Sequence, residues 1–234
     1  MSTLVIHLES KGKKWSELDD ITKHQLINWF DHLPATSDQR AQHQSEVERN
    51  LKFSPLTGEI RSLGIYDIER ALSTVYLTSD EAVPMVVEDG GRKVRHEADV
   101  LCEFWQGVSQ YQTVVTFSGR SFALPFLVHR SLAYGIRPSV DLLRFRYLTQ
   151  QVAPYHVDLQ DQLTFYGAWR KRPSLHLLCQ AYGIESPILD EETTAEDFAV
   201  HTGRYVKTTT DLYHYWRTYL APAQFRPGDE GLDF

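Results

Sequence analysis

The chain has 234 residues, which allows one ordinary domain or a tight pair, and a single core is the better reading. Hydrophobic residues make up 42% and charged residues 24%, which excludes a disordered or collagen-like chain. The formal net charge of −7 excludes a broad basic surface of the kind that holds nucleic acid regardless of sequence, so any such contact must be local.

Residues 3–10 read as a buried strand built on Leu4, Val5, Ile6 and Leu8, with polar His7 inside it and Glu9 at its end. Polar residues closing a buried strand suggest a site. Residues 16–49 are charged and helical in period, with Leu18, Ile21, Leu26, Ile27, Trp29 and Phe30 on one apolar face and a break at Pro34. This is a helical insertion at about residues 16–50. Residues 54–58 form a turn, and 60–68 and 72–79 read as the two strands of a hairpin. Another turn is expected at 88–92, followed by a helix over 97–109 and a strand over 113–117 that is buried on both faces. Residues 118–120 turn that strand into a helix over 122–134, which Gly135 ends. A short strand is expected at 157–159, with helices over 163–169, 175–182 (stopped by Gly183) and 195–220. Residues 222–234 are rich in Pro, Gly and acid and read as a tail, leaving one domain over 1–221.

Cys102 and Cys179 are the two cysteines, without CxxC spacing, and they are expected to be packing residues of a reducing, cytoplasmic protein. The N-terminal apolar run is shorter than a secretory core, and nowhere do 18 apolar residues follow one another, so a soluble chain with no membrane partner is expected.

A strand, a hairpin, then helix, strand, helix, short strand and terminal helices is the order of an RNase H-like fold. Three motifs then make the chain resemble the predicted 3′-5′ exonucleases related to the exonuclease domain of family-B DNA polymerases. Leu4-Val-Ile-His-Leu-Glu-Ser lies where that family carries an Asp-x-Glu pair, and Ser54-Pro-Leu-Thr-Gly-Glu-Ile-Arg-Ser-Leu-Gly resembles the hairpin entry. Val115-Thr-Phe-Ser-Gly-Arg-Ser-Phe-Ala-Leu-Pro-Phe-Leu looks like the second exonuclease motif, Asn-Gly-x-x-Phe-Asp-x-Pro, and Tyr155-His-Val-Asp-Leu resembles the later strand. His201-Thr-Gly-Arg-Tyr-Val-Lys-Thr-Thr sits where the family has a Tyr-x-x-x-Asp-Val-x-x-Thr helix. The resemblance implies an α/β, RNase H-like exonuclease fold with a mixed five-stranded sheet flanked by helices. It also implies a two-metal reaction, in which carboxylates hold Mg²⁺ or Mn²⁺ ions about 3.5–4 Å apart.

Position by position, the family's first Asp is His7 here, its Glu is Glu9, its second-motif Asp is Ala123 and its third-motif Asp is Tyr205. The third-motif Tyr is His201. Of the four carboxylate positions, Glu9 alone keeps a carboxylate. Alanine offers no ligand, a phenol is neutral at pH 7, and imidazole is a softer donor than these hard cations prefer. The leading reading is therefore a degenerate, inactive exonuclease-like domain without a cofactor, acting as a nucleic-acid-binding or assembly subunit.

Two alternatives stay open. One is an active enzyme using Mg²⁺ or Mn²⁺ on rearranged ligands: His7 and Glu9, which share a strand face, with Asp158. The competing role for Asp158 is to cap the helix beginning near Asp161. Asp211 is six residues from Tyr205, about 120° around a helix, and cannot replace it. The other alternative is a structural partner protein that touches no nucleic acid.

Ten histidines without HExxH spacing make no zinc motif, and Ser121 lies in no nucleophile elbow. Arg120 and the run Arg170, Lys171 and Arg172, together with Arg144 and Arg146, stand among Phe145, Tyr147, Tyr166 and Trp169. They form a candidate track for single-stranded nucleic acid, against the reading of solvated turns. Tyr213, Tyr215, Trp216 and Tyr219 cover more than one face of the last helix, a candidate contact for a protein complex.

Overall fold

Successive side chains of a strand point to opposite faces, and the first strand uses both. In the computed structural model, which describes residues 2–31, 36–79, 91–187 and 195–225, β1 (Thr3–Gly12) sends Leu4, Ile6 and Leu8 into one core and Val5 into another. The hairpin strands β2 (Gly58–Asp67) and β3 (Leu72–Thr78) lie antiparallel beside it. On its other side, β5 (Thr113–Thr116) and β6 (Tyr155–Asp158) run parallel to it.

The sheet has six strands rather than the five expected, in the order β4-β3-β2-β1-β5-β6. The additional strand, β4 (Arg92–Arg95), pairs parallel with β3 at the sheet's edge. Its sequence, Arg-Lys-Val-Arg, carries no apolar alternation, because an edge strand is free to be charged. Of the turn expected just before it, residues 88–90 lie outside the described residues.

The first core lies under α3 (Glu97–Val108) and α4 (Ala123–Ala133), where Trp105 Nε1 donates to Ser131 Oγ at 2.7 Å. The second lies under α5 (Leu159–Leu163), α6 (Leu175–Tyr182) and α7 (Ala195–Tyr219). Gly183 takes the left-handed conformation that ends α6 (φ 69°), as its position in the sequence suggested. Packing runs past residue 221, where a tail was expected: Phe225 is buried against Trp216 and Tyr155, and its carbonyl accepts from Arg217 Nε at 2.7 Å. The rest of that segment, 226–234, lies outside the described residues.

The insertion forms α1 (Asp20–Asp31) and α2 (Ser37–Asn50). Thr36 caps α2, accepting from Gln39 N while Gln39 reaches back to the Thr36 N–H. The expected apolar face is only partly covered: Leu18 is buried and Ile21 is exposed. Pro34 and the side chain of Trp29 lie outside the described residues.

A helix over 163–169 was expected and does not form. Asp158 caps the chain immediately after β6, so the helix starts earlier, and Phe165, Tyr166 and Gly167 then take left-handed conformations (φ 52°, 57° and 90°) that no helix continues through.

Candidate functional site

His7 and Glu9 lie on the same face of β1 as Val5, beneath α7. Val5 is fully buried, His7 and Glu9 half-buried. Glu9 Oε1 lies 2.8 Å from His7 Nε2. The His7 ring stacks on Tyr205 with centroids 4.4 Å apart and planes 16° from parallel, and His201 meets the same ring edge-on at 4.7 Å. His7, Glu9, His201 and Tyr205 therefore converge as a packed polar and aromatic cluster.

This close approach of α7 depends on β2. Gly64 lies opposite His7 in the ladder, and a Cβ there would come within 2.6 Å of Val206 and 2.8 Å of Thr202. One step away, Ser62 Oγ and Thr202 Oγ1 share a buried hydrogen bond of 2.6 Å. The sequence reading overlooked both. A glycine inside a strand is the usual sign of a close backbone approach.

Burial pushes the Glu9 carboxyl up, but the hydrogen bond and charge of His7, with that of His201, outweigh it and hold the group below the usual carboxylate range. Glu9 is therefore ionised at pH 7 and can only accept, so His7 Nε2 donates. Burial lowers the His201 imidazole, with the Glu9 charge opposing in part, so His201 is neutral there.

Asp158 is placed differently from a ligand. Its Oδ1 accepts from the backbone N–H groups of Ser118, Gln160 and Asp161 at 3.1, 3.0 and 3.4 Å, and its Oδ2 from Arg120 N at 2.8 Å. It caps α5 and pins the turn after β5, where Gly119 packs so tightly on Thr116 that no Cβ fits. Burial raises its carboxyl above the ordinary value, against the pull of these N–H groups. Beside it His156 is enclosed, hydrogen-bonded to Thr116 Oγ1 at 2.9 Å, and burial with the nearby Arg120 charge pushes its imidazole down to about 3. Ala123 turns into the apolar core at the start of α4. Asp211 pairs with Lys207 at 3.1 Å on the outside of α7.

The rearranged ligand set of His7, Glu9 and Asp158 is thus not assembled. Among the described residues, no three or more His, Cys, Asp or Glu side chains are grouped to hold a metal ion. Two hard cations need several oxygen donors. Here one carboxylate is already bonded to an imidazole, and the Ala123 position supplies a methyl group. The donor set does not fit a Mg²⁺ or Mn²⁺ pair.

The guanidinium of Arg120, expected to contact nucleic acid, donates to the carbonyls of Leu143 and Phe145 at 3.0 and 2.7 Å. Arg170, Lys171 and Arg172 are exposed in the segment between α5 and α6. On α7, Tyr213 and Trp216 are core residues, Tyr215 stacks on Tyr182 at 4.9 Å, and Tyr219 is exposed. Glu9 does not line the cavities at the loop after α4 or at the helical insertion. One of about 180 Å³ is lined by residues including Arg144, Phe145 and Pro154, and one of about 340 Å³ opens between α1 and α2.

No helix among the described residues is long and apolar enough to cross a membrane. No curated protein matches the chain. Among solved structures, it is similar to the family B DNA polymerase from the hyperthermophilic archaeon Pyrobaculum calidifontis, with 12% identity and a TM-score of 0.50. That match covers 92% of this chain and 25% of the polymerase, which shows the fold. A family model described as a predicted 3′-5′ exonuclease related to the exonuclease domain of PolB matches residues 66–187, just over half of the chain. Ala123 and Asp158 fall inside that span, and His7, Glu9 and Tyr205 outside it. With its sheet, its helices and that match in agreement, the chain belongs to the family of predicted 3′-5′ exonucleases related to the PolB exonuclease domain.

Proposed function

We propose that this protein is a catalytically silent exonuclease-like domain, in which a packed cluster stands where the family's metal carboxylates would be. It works by binding nucleic acid or by assembling a complex, not by hydrolysis. One observation carries the reading: the Glu9 carboxylate is hydrogen-bonded to His7 at 2.8 Å, and the His7 ring is stacked on Tyr205. An imidazole and a phenol in face contact leave no oxygen-lined space between them for a hard cation. The free thiols Cys102 and Cys179 support a reducing compartment, the cytoplasm.

The test is to incubate the protein with 3′- and 5′-labelled single-stranded DNA and RNA in Mg²⁺ or Mn²⁺. The expected result is no shortening. Shortening that disappears in Glu9→Gln overturns the proposal in favour of an active enzyme on rearranged ligands. Activity that appears only in the combined His7→Asp, Ala123→Asp and Tyr205→Asp variant supports the motif alignment and a retained groove.

A further inference from the structure

We propose that the loops after α4 and α5 form a ledge that binds single-stranded nucleic acid, with phosphates on exposed cations and bases on exposed rings. The proposal rests on the reading above in taking binding, not hydrolysis, as the activity, and it names the ligand and the surface. That surface is distinct from the Glu9 cluster.

Charge singles out this part of the molecule. Residues 142–157 and 162–184 contain no Asp or Glu, although the chain as a whole carries −7. They contribute Arg144, Arg170, Lys171 and Arg172. Of the two acids between them, Asp158 is buried on backbone N–H groups and Asp161 is taken by Arg146, whose Nε and Nη2 donate to its two oxygens at 2.9 and 2.6 Å, while Asp141, just before the first stretch, accepts from Leu143 N. Sequence-tolerant single-strand binding needs such cations beside aromatic faces.

The rings are there and held in place. Phe145, Tyr147, Phe165 and Trp169 are 36, 47, 59 and 47% exposed, a concentration of apolar surface that nothing among the described residues covers. The first loop is fixed by Arg120 on two of its carbonyls and by Gln151 Nε2 on Phe145 O at 2.9 Å. It is locked to the second loop by Tyr147 packing edge-on to Tyr166 at 4.7 Å, and by Leu148 N donating to the Tyr166 hydroxyl at 3.3 Å. Phe165 and Tyr166 hold left-handed conformations that side-chain-bearing residues avoid, and Phe165 points to solvent. Backbone strain retained where it presents a ring to solvent suggests use of that ring.

Position agrees with this. β1, β5 and β6 are parallel, so the segment after β6 leaves from the same edge of the sheet as Glu9 and the turn before Ala123. In open α/β sheets, ligands lie outside the carboxyl ends of the strands.

The test uses the full chain in EDTA with fluorescein-labelled 15-mers of dT and rU, read by anisotropy. Binding is expected at about 50 mM salt and should weaken steeply as salt rises. Joint Arg170→Glu, Lys171→Glu and Arg172→Glu substitution should lower affinity at least about tenfold and reduce the log-log salt slope by about 2. Trp169→Ala should lower affinity about fivefold and leave that slope unchanged. Both variants should keep the parent's thermal midpoint, since these side chains are exposed. Absence of binding, or binding untouched by either variant, overturns the proposal. Equal affinity for a DNA duplex or for polyglutamate overturns it too, because cations would then act without stacking. Hydrolysis in Mg²⁺ would instead overturn the silent-site reading and leave the ledge standing.

Discussion

Two of the acids that have a basic partner, Glu97 at the start of α3 and Glu9 on β1, are treated very differently. Glu97 accepts four hydrogen bonds: two from Arg130 at 2.9 and 2.6 Å, one from Ile60 N at 2.8 Å and one from the Tyr134 hydroxyl at 3.0 Å. Both Glu97 and Arg130 are almost completely buried. Glu9 has one close partner, His7, and a third of its side chain remains accessible. Every lone pair of a structural acid is matched, because in a low-dielectric interior an unmatched one is costly. An acid that keeps accessible oxygen is the kind of group a ligand site retains. By that measure Glu97 is part of the frame, whereas Glu9 keeps oxygen that a ligand could reach.

The comparison breaks most visibly at Glu97. Glu97→Ala strands the Arg130 charge in the core and should cost about 3–5 kcal/mol in urea unfolding. Replacing both partners with apolar residues should cost much less. If Glu97→Ala were nearly neutral, full hydrogen bonding would not mark a structural acid here.

Next in size is a pH effect. The His156 imidazole, pushed down to about 3, stays neutral in the fold while the unfolded chain takes up a proton near 6.5. Stability should therefore be complete above about pH 6.5 and fall as pH drops toward 3, by about 2 kcal/mol between pH 7 and 5. Glu9 and His201, both lowered, act in the same direction. Thermal scans of His156→Gln should show a shallower decline, and an unchanged one would remove His156 as the cause.

Asp158 sharpens the contrast because it resembles Glu97 in kind. Asp158→Ala should cost about 1–2 kcal/mol through the lost cap, and Asp158→Asn less. A loss of metal-dependent activity with no loss of stability would make it a ligand after all. The smallest effect is expected at Glu9: Glu9→Gln should change stability by less than about 1 kcal/mol, as partly exposed pairs do. A larger loss would move Glu9 into the frame with Glu97.

Much of this was legible along the chain. The period of two in β1 put His7 and Glu9 on one face, Gly183 marked where α6 ends, and Asp158 read as a helix cap, although for a helix two residues later than the one it starts. Each of these depends on neighbours a few residues away, and local sequence records such relations directly. Strand β4 was missed because a charged edge strand has no hydrophobic period. That the carbonyls of Leu143 and Phe145 come to lie beneath Arg120 was not legible, because they are more than twenty residues away along the chain.

By itself, the sequence determined the strands and helices apart from β4 and the placement of α5, the family pattern, and that positions 7, 123 and 205 carry no carboxylate, since these follow from residue type and spacing. Only the tertiary structure decided how His7 and Tyr205 meet. Gly64 lets α7 settle against β2, and this brings Tyr205 face to face with His7, a contact between residues 198 positions apart that depends on the missing Cβ of a third. It likewise brought the 144–148 segment against the chain after β6, because Asp161 and Tyr166 hold that segment from across a turn.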